Sequence, residues 1–168
     1  MDRDSKIREA LNRMIGVFQK KPQQALNTIA ASAVVEDGVK AHFTQGEHSA
    51  VMDFPEAMGG EGAGPTPGFF ARGGICGCVA MGKQQAILQG MVFNKVVVEV
   101  ENDFDDGAVY GLGDATAAPL ETRLTIRIDT DESNETVSKL VDRVLKRDSW
   151  FLALKEAQNV KTAVEVGN

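Results

Sequence analysis

The chain has 168 residues, of which 43% are hydrophobic and 25% are charged. This length predicts one domain, since domains commonly contain about 100–200 residues, and the composition excludes a disordered or fibrous protein. Eighteen Lys and Arg against 24 Asp and Glu leave a formal net charge of −6. Nucleic acids and anionic lipids bind basic surfaces, so we expect a small molecule or another protein as the partner.

The amino terminus gives no indication of export or membrane insertion. Residues 1–6 are mostly charged, and no apolar core of a signal peptide follows them. The charge-free stretches 73–82 and 84–94 are shorter than the roughly 18–20 apolar residues of a membrane helix. We therefore expect a cytoplasmic protein that binds no membrane. Its two cysteines, Cys76 and Cys78, are too few for a disulfide scaffold and are expected to be reduced thiols.

The first elements in chain order are a helix and a group of short strands. Apolar residues recur at helical spacing at Ile7, Leu11, Met14, Ile15 and Phe18. With Asp4 or Ser5 as a cap and Pro22 as a stop, this spacing predicts an amphipathic helix. Residues 30–53 contain short β-prone runs, and Asp37-Gly38 provides the positive φ of a tight hairpin. We predict a β-meander here.

A second helix is predicted from Pro67 to Gln89, with Thr66 as its cap and Gly90 at its end. Four glycines lie inside this helix: Gly73, Gly74, Gly77 and Gly82. Each costs about 1 kcal/mol relative to alanine in a helix interior, whereas small residues at this spacing let another backbone approach closely. We therefore predict a central helix packed against another element, such as the same helix of a second copy across a dimer axis.

The remainder of the chain completes an α+β pattern. Its apolar periodicity predicts a strand starting near Val92, a long and mobile loop over 103–119, a strand over 120–128, a helix capped by Ser133 or Asn134, a short helix over 150–157 and a closing strand over 160–166. The order α, β-meander, α, β, β, α, α, β defines an α+β domain.

Two common site patterns are incomplete in this sequence. Residues 77–84 nearly match the phosphate-binding G-x-x-x-x-G-K-[ST], but Gln84 lacks the hydroxyl that holds magnesium, and no strand precedes the segment. His42 and His48 with the two cysteines match a zinc set by count alone. Cysteines two positions apart on a helix point about 200° apart and cannot face one ion. No cofactor and no metal are predicted.

The two cysteines allow two interpretations at this point. A buried cysteine usually behaves as a small hydrophobic residue. Arg72 lies four residues before Cys76, so the two share a helix face. Because a nearby cation lowers a thiol pKa and the thiolate is the reactive form, a reactive thiol is the second interpretation.

Gly64-Pro65-Thr66-Pro67 is followed, eleven residues after the last proline, by Cys78-Val79-Ala80-Met81. This pattern resembles the OsmC/Ohr family of osmotically inducible and organic-hydroperoxide-resistance proteins. In that family a Gly-x-Asn-Pro-Glu-type turn opens a long central helix, and the peroxidatic cysteine follows the proline at the same spacing. Residues 30–168 are therefore interpreted as an OsmC-like domain, and residues 1–29 as a helical extension outside the match. The resemblance implies antiparallel sheets wrapped around long central helices in an intertwined homodimer.

The resemblance also implies a thiol peroxidase that acts on organic hydroperoxides, with Cys78 as the nucleophile. In this chemistry the sulfur is oxidised to a sulfenic acid, which a second cysteine resolves as a disulfide. The sequence departs from the family pattern at three points. Gly68 replaces the glutamate after the proline, no arginine lies between Arg13 and Arg72, and the resolving position, counted back from the closing strand, falls on Trp150.

Two functions remain open from the sequence. The first is an atypical peroxidase in which Arg72, Lys40 or His42 activates Cys78, and an external thiol or an intermolecular disulfide through Cys76 completes the cycle. The second is a non-catalytic module of the same fold that binds a small apolar ligand at the dimer interface, with the pKa of the matched cysteine raised by burial. The retained cysteine favours the first, whereas the missing glutamate and second cysteine favour the second.

Overall fold

The computed structural model of the chain describes residues 2–167. Helix α1 spans Arg3–Lys20 and begins behind Asp2, whose carboxylate accepts the Ser5 backbone N–H at 2.8 Å. The observed cap lies two positions before Asp4 and three before Ser5, the two predicted caps. A short 3-10 turn over Pro22–Ala25 follows the helix, in agreement with the stop predicted at the proline.

The predicted β-meander is confirmed as a three-stranded antiparallel sheet in the order β1-β2-β3. The strands are β1 (Ser32–Val35), β2 (Ala41–Gln45) and β3 (His48–Met52). Gly38 precedes β2 with a φ of 68°, and Gly46 lies in the two-residue turn before β3 with a φ of 59°. Both turns therefore use the left-handed backbone conformation that glycine adopts without a steric penalty.

The segment between β3 and the central helix is organised around Asp53, which is only 2% exposed. Its carboxylate accepts backbone N–H groups from Phe54 at 2.8 Å, Glu61 at 3.1 Å and Ala63 at 3.0 Å. These hydrogen bonds, the one from Ala63 above all, hold the pKa of Asp53 below its usual value. These hydrogen bonds fix the conformation of segment 53–63, which leads to the central helix.

The central helix is interrupted, whereas the sequence predicts one continuous helix over 67–89. Helix α2 spans Pro67–Met81, helix α3 spans Lys83–Leu88, and Gly82 separates them. An ideal Cβ on this glycine would lie 2.4 Å from Cγ1 of Val144 in helix α5. The chain thus approaches a neighbouring helix more closely at Gly82 than any side chain permits, and we attribute the break to this contact.

The carboxyl-terminal half follows the predicted order up to its last helix. Its elements are β4 (Lys95–Asp103), α4 (Asp106–Val109), β5 (Glu121–Asp129), α5 (Asn134–Leu145) and α6 (Ser149–Lys155). Strands β4 and β5 form an antiparallel pair in which Lys95 faces Asp129. The predicted loop over 103–119 contains the one-turn helix α4. The Ser133 side chain caps α5 by accepting the Thr136 N–H at 3.2 Å.

The core lies where the central helices meet β4, the segment before it and α5. Its buried apolar side chains are Ile75, Val79, Ala86, Ile87, Met91, Phe93 and Leu140. Helix α2 packs against β4 and α6, and α1 packs against α3. Nε of Arg8 donates a hydrogen bond to the carbonyl oxygen of Ile87 at 2.8 Å, which ties α1 to the core helices.

The predicted closing strand over 160–166 is wrong for the single chain. Residues 157–167 belong to no helix or strand of the described part, and the side chains that were to form one face are exposed: Val160 by 76%, Val164 by 89% and Val166 by 88%. Apolar alternation forms a strand only where a sheet edge receives its backbone hydrogen bonds. Among residues 2–167 this segment has no such neighbour.

Candidate functional site

Cys78 lines a cleft of about 450 Å³ bounded by α2, α3, α5 and the start of α6. The cysteine is half-buried, and the helix that carries it is fixed by the buried Ile75 and Val79. The cleft has apolar walls at Met81, Leu140 and Val144 and polar walls at Gln84, Gln85, Gln89, Arg143 and Arg147. A volume of this size accommodates a small molecule.

Asp148 lies beside Cys78 in this cleft and acts on the thiol. Burial raises the pKa of Cys78, and the interaction with the Asp148 carboxylate raises it further, while the backbone N–H groups of Trp150 and Ser149 lower it. Asp148 is itself only 6% exposed and caps α6, accepting the N–H groups of Trp150 at 3.1 Å and Phe151 at 2.8 Å. The sulfur therefore faces two backbone donors that favour a thiolate and one carboxylate that disfavours it.

The sequence analysis missed Asp148 as a site residue. Counting back from the closing strand indicated Trp150, whose side chain is 60% exposed and which contributes only its backbone N–H. The structure brings the residue two positions earlier to the sulfur. The available signal was the Asp-Ser pair between two predicted helices, since Asp is a preferred N-cap.

Two arginines that the sequence analysis also missed line the same cleft. Arg143 lies in the last turn of α5, and its Nη2 donates to Oε1 of Gln89 at 2.7 Å. Arg147 follows four residues later, in the turn after α5 ends at Leu145, and lines the cleft from there. Both arginines are visible in the sequence, but the element that they meet depends on how α5 and the turn after it pack on α3.

Arg72 and Cys76, the other predicted site residues, do not line the Cys78 cleft. An ideal Cβ on Gly68 would lie 3.2 Å from Nη1 of Arg72, so the guanidinium occupies the space beside this glycine. Cys76 stands about 200° around the helix axis from Cys78. Both cysteines are free thiols, and only one of them opens on the cleft.

The two other candidate activators also lie outside the cleft. Nζ of Lys40 forms an ion pair with Glu61 at 2.8 Å, and this contact raises the pKa of Lys40. His42 is an exposed residue of β2. Within residues 2–167 no three His, Cys, Asp or Glu side chains are grouped as a metal ion requires. None of the helices in that range combines the length and apolar character needed to cross a membrane.

One face of α2 is open in the single chain. Ideal Cβ atoms on Gly73, Gly74 and Gly77 would have no neighbour within 4 Å. The close packing that the sequence predicts for the glycines is therefore present only at Gly82. The other three glycines have no close neighbour among residues 2–167, and Gly73 and Gly74 are exposed while Gly77 is half-buried.

Comparison with known proteins shows the fold but gives no match by sequence. No protein-family model and no curated protein matches the chain. An OsmC-like protein from Mycoplasma pneumoniae superposes with a TM-score of 0.65 at 18% identity, covering 77% of this chain and 88% of that one. An organic hydroperoxide resistance protein from Legionella pneumophila gives 0.56 at 20% identity, with 77% and 90% covered. Another from Elizabethkingia anophelis gives 0.55 at 16% identity, with 77% and 89% covered.

These likenesses define the class of the protein. The chain is an α+β protein with small antiparallel sheets and an OsmC-like fold. The resemblance proposed from the proline-to-cysteine spacing is thus confirmed at the level of the fold, and the solved structures that share it include organic hydroperoxide resistance proteins.

Proposed function

We propose that this protein is an atypical OsmC-like peroxidase that reduces organic hydroperoxides with Cys78 as its nucleophile. The observation that carries the proposal is the position of this thiol on a small-molecule-sized cleft that it shares with Arg143 and Arg147. The similar structures named as organic hydroperoxide resistance proteins support the same chemistry. Cys76 has no place in the cleft, so the proposed mechanism uses one cysteine and an external thiol.

The residues of the cleft have defined roles in this mechanism. The Cys78 thiolate attacks one peroxide oxygen, the O–O bond breaks, and the sulfur becomes a sulfenic acid while the alkoxide takes up a proton and leaves as an alcohol. The backbone N–H groups at the start of α6 stabilise the thiolate, and the guanidinium groups of Arg143 and Arg147 stabilise the negative charge on the leaving oxygen.

Asp148 opposes the formation of the thiolate. Because burial and this carboxylate both raise the pKa of Cys78, the reactive fraction at neutral pH is smaller than that of an ordinary thiol. We expect the rate of peroxide reduction to keep rising with pH above the ordinary thiol pKa of about 8.5.

The proposal is tested by replacing each cysteine separately. Cys78→Ser should abolish the dithiothreitol-dependent consumption of cumene hydroperoxide, because serine does not form a sulfenic acid. Cys76→Ser removes a thiol from the same helix outside the cleft and should retain the turnover. Unchanged turnover in Cys78→Ser would contradict the proposal. Loss of turnover in Cys76→Ser would contradict the one-cysteine mechanism and identify Cys76 as the resolving thiol.

A second candidate function is a non-catalytic protein that binds a small apolar ligand in the same cleft. The raised pKa of Cys78 favours it, because a buried thiol that stays protonated is a poor nucleophile. Mass spectrometry after mild treatment with peroxide separates the two functions. The peroxidase forms a sulfenic acid at Cys78 that a thiol reverses, whereas the binding module leaves the sulfur unmodified.

We also propose that the protein forms a homodimer through the open glycine face of α2. The support is that Gly73, Gly74 and Gly77 have no close neighbour within residues 2–167, and that segment 157–167 pairs with no strand there. In this arrangement residues 30–168 form the OsmC-like domain, and α1 is an extension that packs on α3.

A further inference from the structure

The Cys78 cleft has no second thiol among residues 2–167. Cys76 lies on another side of α2, and Cys78 is the one cysteine that lines the cleft. If Cys78 is oxidised to a sulfenic acid, as the proposed function requires, the reductant must enter the cleft from outside. The residues that line the cleft therefore decide which thiol can reduce Cys78. This inference rests on the proposed function, because only a peroxidase needs such a reductant.

The charged residues of the cleft favour an anion. Two arginines line it, Arg143 and Arg147, against one carboxylate, that of Asp148. Oδ1 of Asp148 is occupied by the two N–H groups at the start of α6, and the residue is buried, so it offers little surface to a ligand. A locally cationic cleft is unexpected in a chain with a net charge of −6, and it attracts carboxylates while the rest of the surface repels them.

The two arginines differ in how firmly they are held. Nη2 of Arg143 is bonded to the side chain of Gln89, which orients the guanidinium at the mouth of the cleft. Arg147 follows the end of α5, and its guanidinium makes no hydrogen bond or ion pair with any residue from 2 to 167. A guanidinium presents paired N–H donors that match the two oxygens of a carboxylate. We therefore expect Arg147 to bind the carboxylate of a ligand more strongly than Arg143, which also lines the cleft.

We propose that the cleft binds a low-molecular-weight thiol that carries carboxylate groups, and that this thiol reduces oxidised Cys78. Its sulfur attacks the sulfenic acid, an S–S bond forms, and the hydroxyl leaves with a proton as water. A second molecule of the thiol then attacks the mixed disulfide, which releases the reductant as its disulfide and restores the Cys78 thiol. The arginines hold the carboxylates, and the apolar wall formed by Met81 and Val144 receives the carbon chain.

Thiol–disulfide exchange tests the charge preference without any peroxide. Reduced protein in a Cys76→Ser background is mixed with 3,3′-dithiodipropionate or with cystamine, which carry opposite charges on the same spacer of two methylene groups. The Cys78 thiolate attacks one sulfur, the S–S bond of the probe breaks, and half of the probe leaves as a thiolate. Intact-mass spectrometry follows the mixed disulfide, and each rate is divided by the rate for the same protein unfolded in denaturant.

We expect the anionic probe to react at least about tenfold faster than the cationic probe after this normalisation, since one charged hydrogen bond supplies that factor. Arg147→Gln should remove most of the preference and Arg143→Gln part of it. Lys146→Gln removes the same charge from the neighbouring exposed position outside the cleft and should keep the preference. Equal rates, a faster reaction with cystamine, or an equal loss in Lys146→Gln would overturn the inference.

The two proposals fail in different ways. If the anion preference is present but hydroperoxide consumption is absent, the cleft binds anionic thiols and the peroxidase function is wrong. If Cys78-dependent consumption is present without the preference, the peroxidase function stands and the reductant is of another class. The wild-type comparison of the two probes decides the inference even where an arginine variant fails to fold.

Discussion

Helix α2 has small residues on two sides, and the two sides have different surroundings. At its end, Gly82 lies against Val144 so closely that no Cβ fits between them. On the other side, Gly73 and Gly77 have nothing within 4 Å. The sequence does not distinguish Gly82 from Gly73 and Gly77, because each is a glycine inside a predicted helix, where alanine would be more stable. The comparison teaches that this signal indicates close approach of a partner without indicating whether that partner belongs to the same chain.

The largest expected effect is on the packed side. Gly82→Ala should destabilise the fold by about 1–3 kcal/mol, because the added methyl group meets the stiff, β-branched side chain of Val144 and the carbonyl oxygen of Val79. The measurement is the free energy of unfolding from a urea titration. An unchanged free energy would show that α3 and α5 move apart at no cost and that the break between α2 and α3 has another cause.

A double-mutant cycle sharpens this prediction. Val144→Ala alone should also destabilise the fold, since it removes methyl groups that pack against the core. In the double variant the new methyl group occupies space that Val144 has vacated, so the combined loss should be smaller than the sum of the two single losses. Additive losses would mean that the two side chains do not meet.

The second prediction concerns the effect of the Asp148 carboxylate on the pKa of Cys78, which lies on the packed side of α2. Asp148→Asn should lower the pKa of Cys78, because the carboxylate that raises it becomes neutral. Asparagine is an equally good N-cap and keeps an acceptor for the N–H groups of Trp150 and Phe151, so α6 should remain intact. The rate of alkylation of Cys78 by iodoacetamide as a function of pH, measured in a Cys76→Ser background, gives the pKa directly.

A matched control exists for this substitution. Asp105→Asn makes the same change at the cap of α4, where the carboxylate accepts the Gly107 N–H at 2.9 Å, and Asp105 does not line the Cys78 cleft. It should leave the alkylation profile unchanged. A profile that stays in place in Asp148→Asn would show that burial raises the thiol pKa without the carboxylate, and one that moves to higher pH would show that the carboxylate lowers this pKa.

The sequence predicts most of the fold because its signals are local. The meander follows from Asp37-Gly38 and the alternation around it, and the helix ends follow from capping residues and from Pro22 and Pro67. Apart from the start of α1, which is capped by Asp2 rather than by Asp4 or Ser5, the two errors are of one kind. The closing strand over 160–166 and the continuous helix over 67–89 depend on which element lies next to them, and residue patterns do not contain that information.

The candidate site is predicted only in part for the same reason. Cys78 is found because its spacing from Pro67 is a property of one helix, and α2 places it on the cleft. Asp148, Arg143 and Arg147 come from elements about 65 residues further along the chain, and only the packing of α5 and α6 on α2 and α3 brings them to the sulfur. No spacing rule links residues across such a distance.

The smallest expected effect on stability is on the open side of α2. Gly77→Ala introduces a methyl group that meets no atom of residues 2–167 within 4 Å, so it should stabilise the monomer by up to about 1 kcal/mol through helix propensity. In a homodimer joined at this face the same methyl group separates two closely packed backbones, and association should weaken. Sedimentation velocity over a range of concentrations measures the association, and urea unfolding at low concentration measures the monomer.

Gly16→Ala is the matched control, because this glycine lies inside α1 and also has nothing within 4 Å of its Cβ position. It should give the same gain in helix propensity and leave the association unchanged. Weaker association in Gly77→Ala alone would place the dimer contact on the glycine face. Equal association in both variants would mean that this face stays in solvent and that the glycines of α2 serve some purpose other than close packing between two chains.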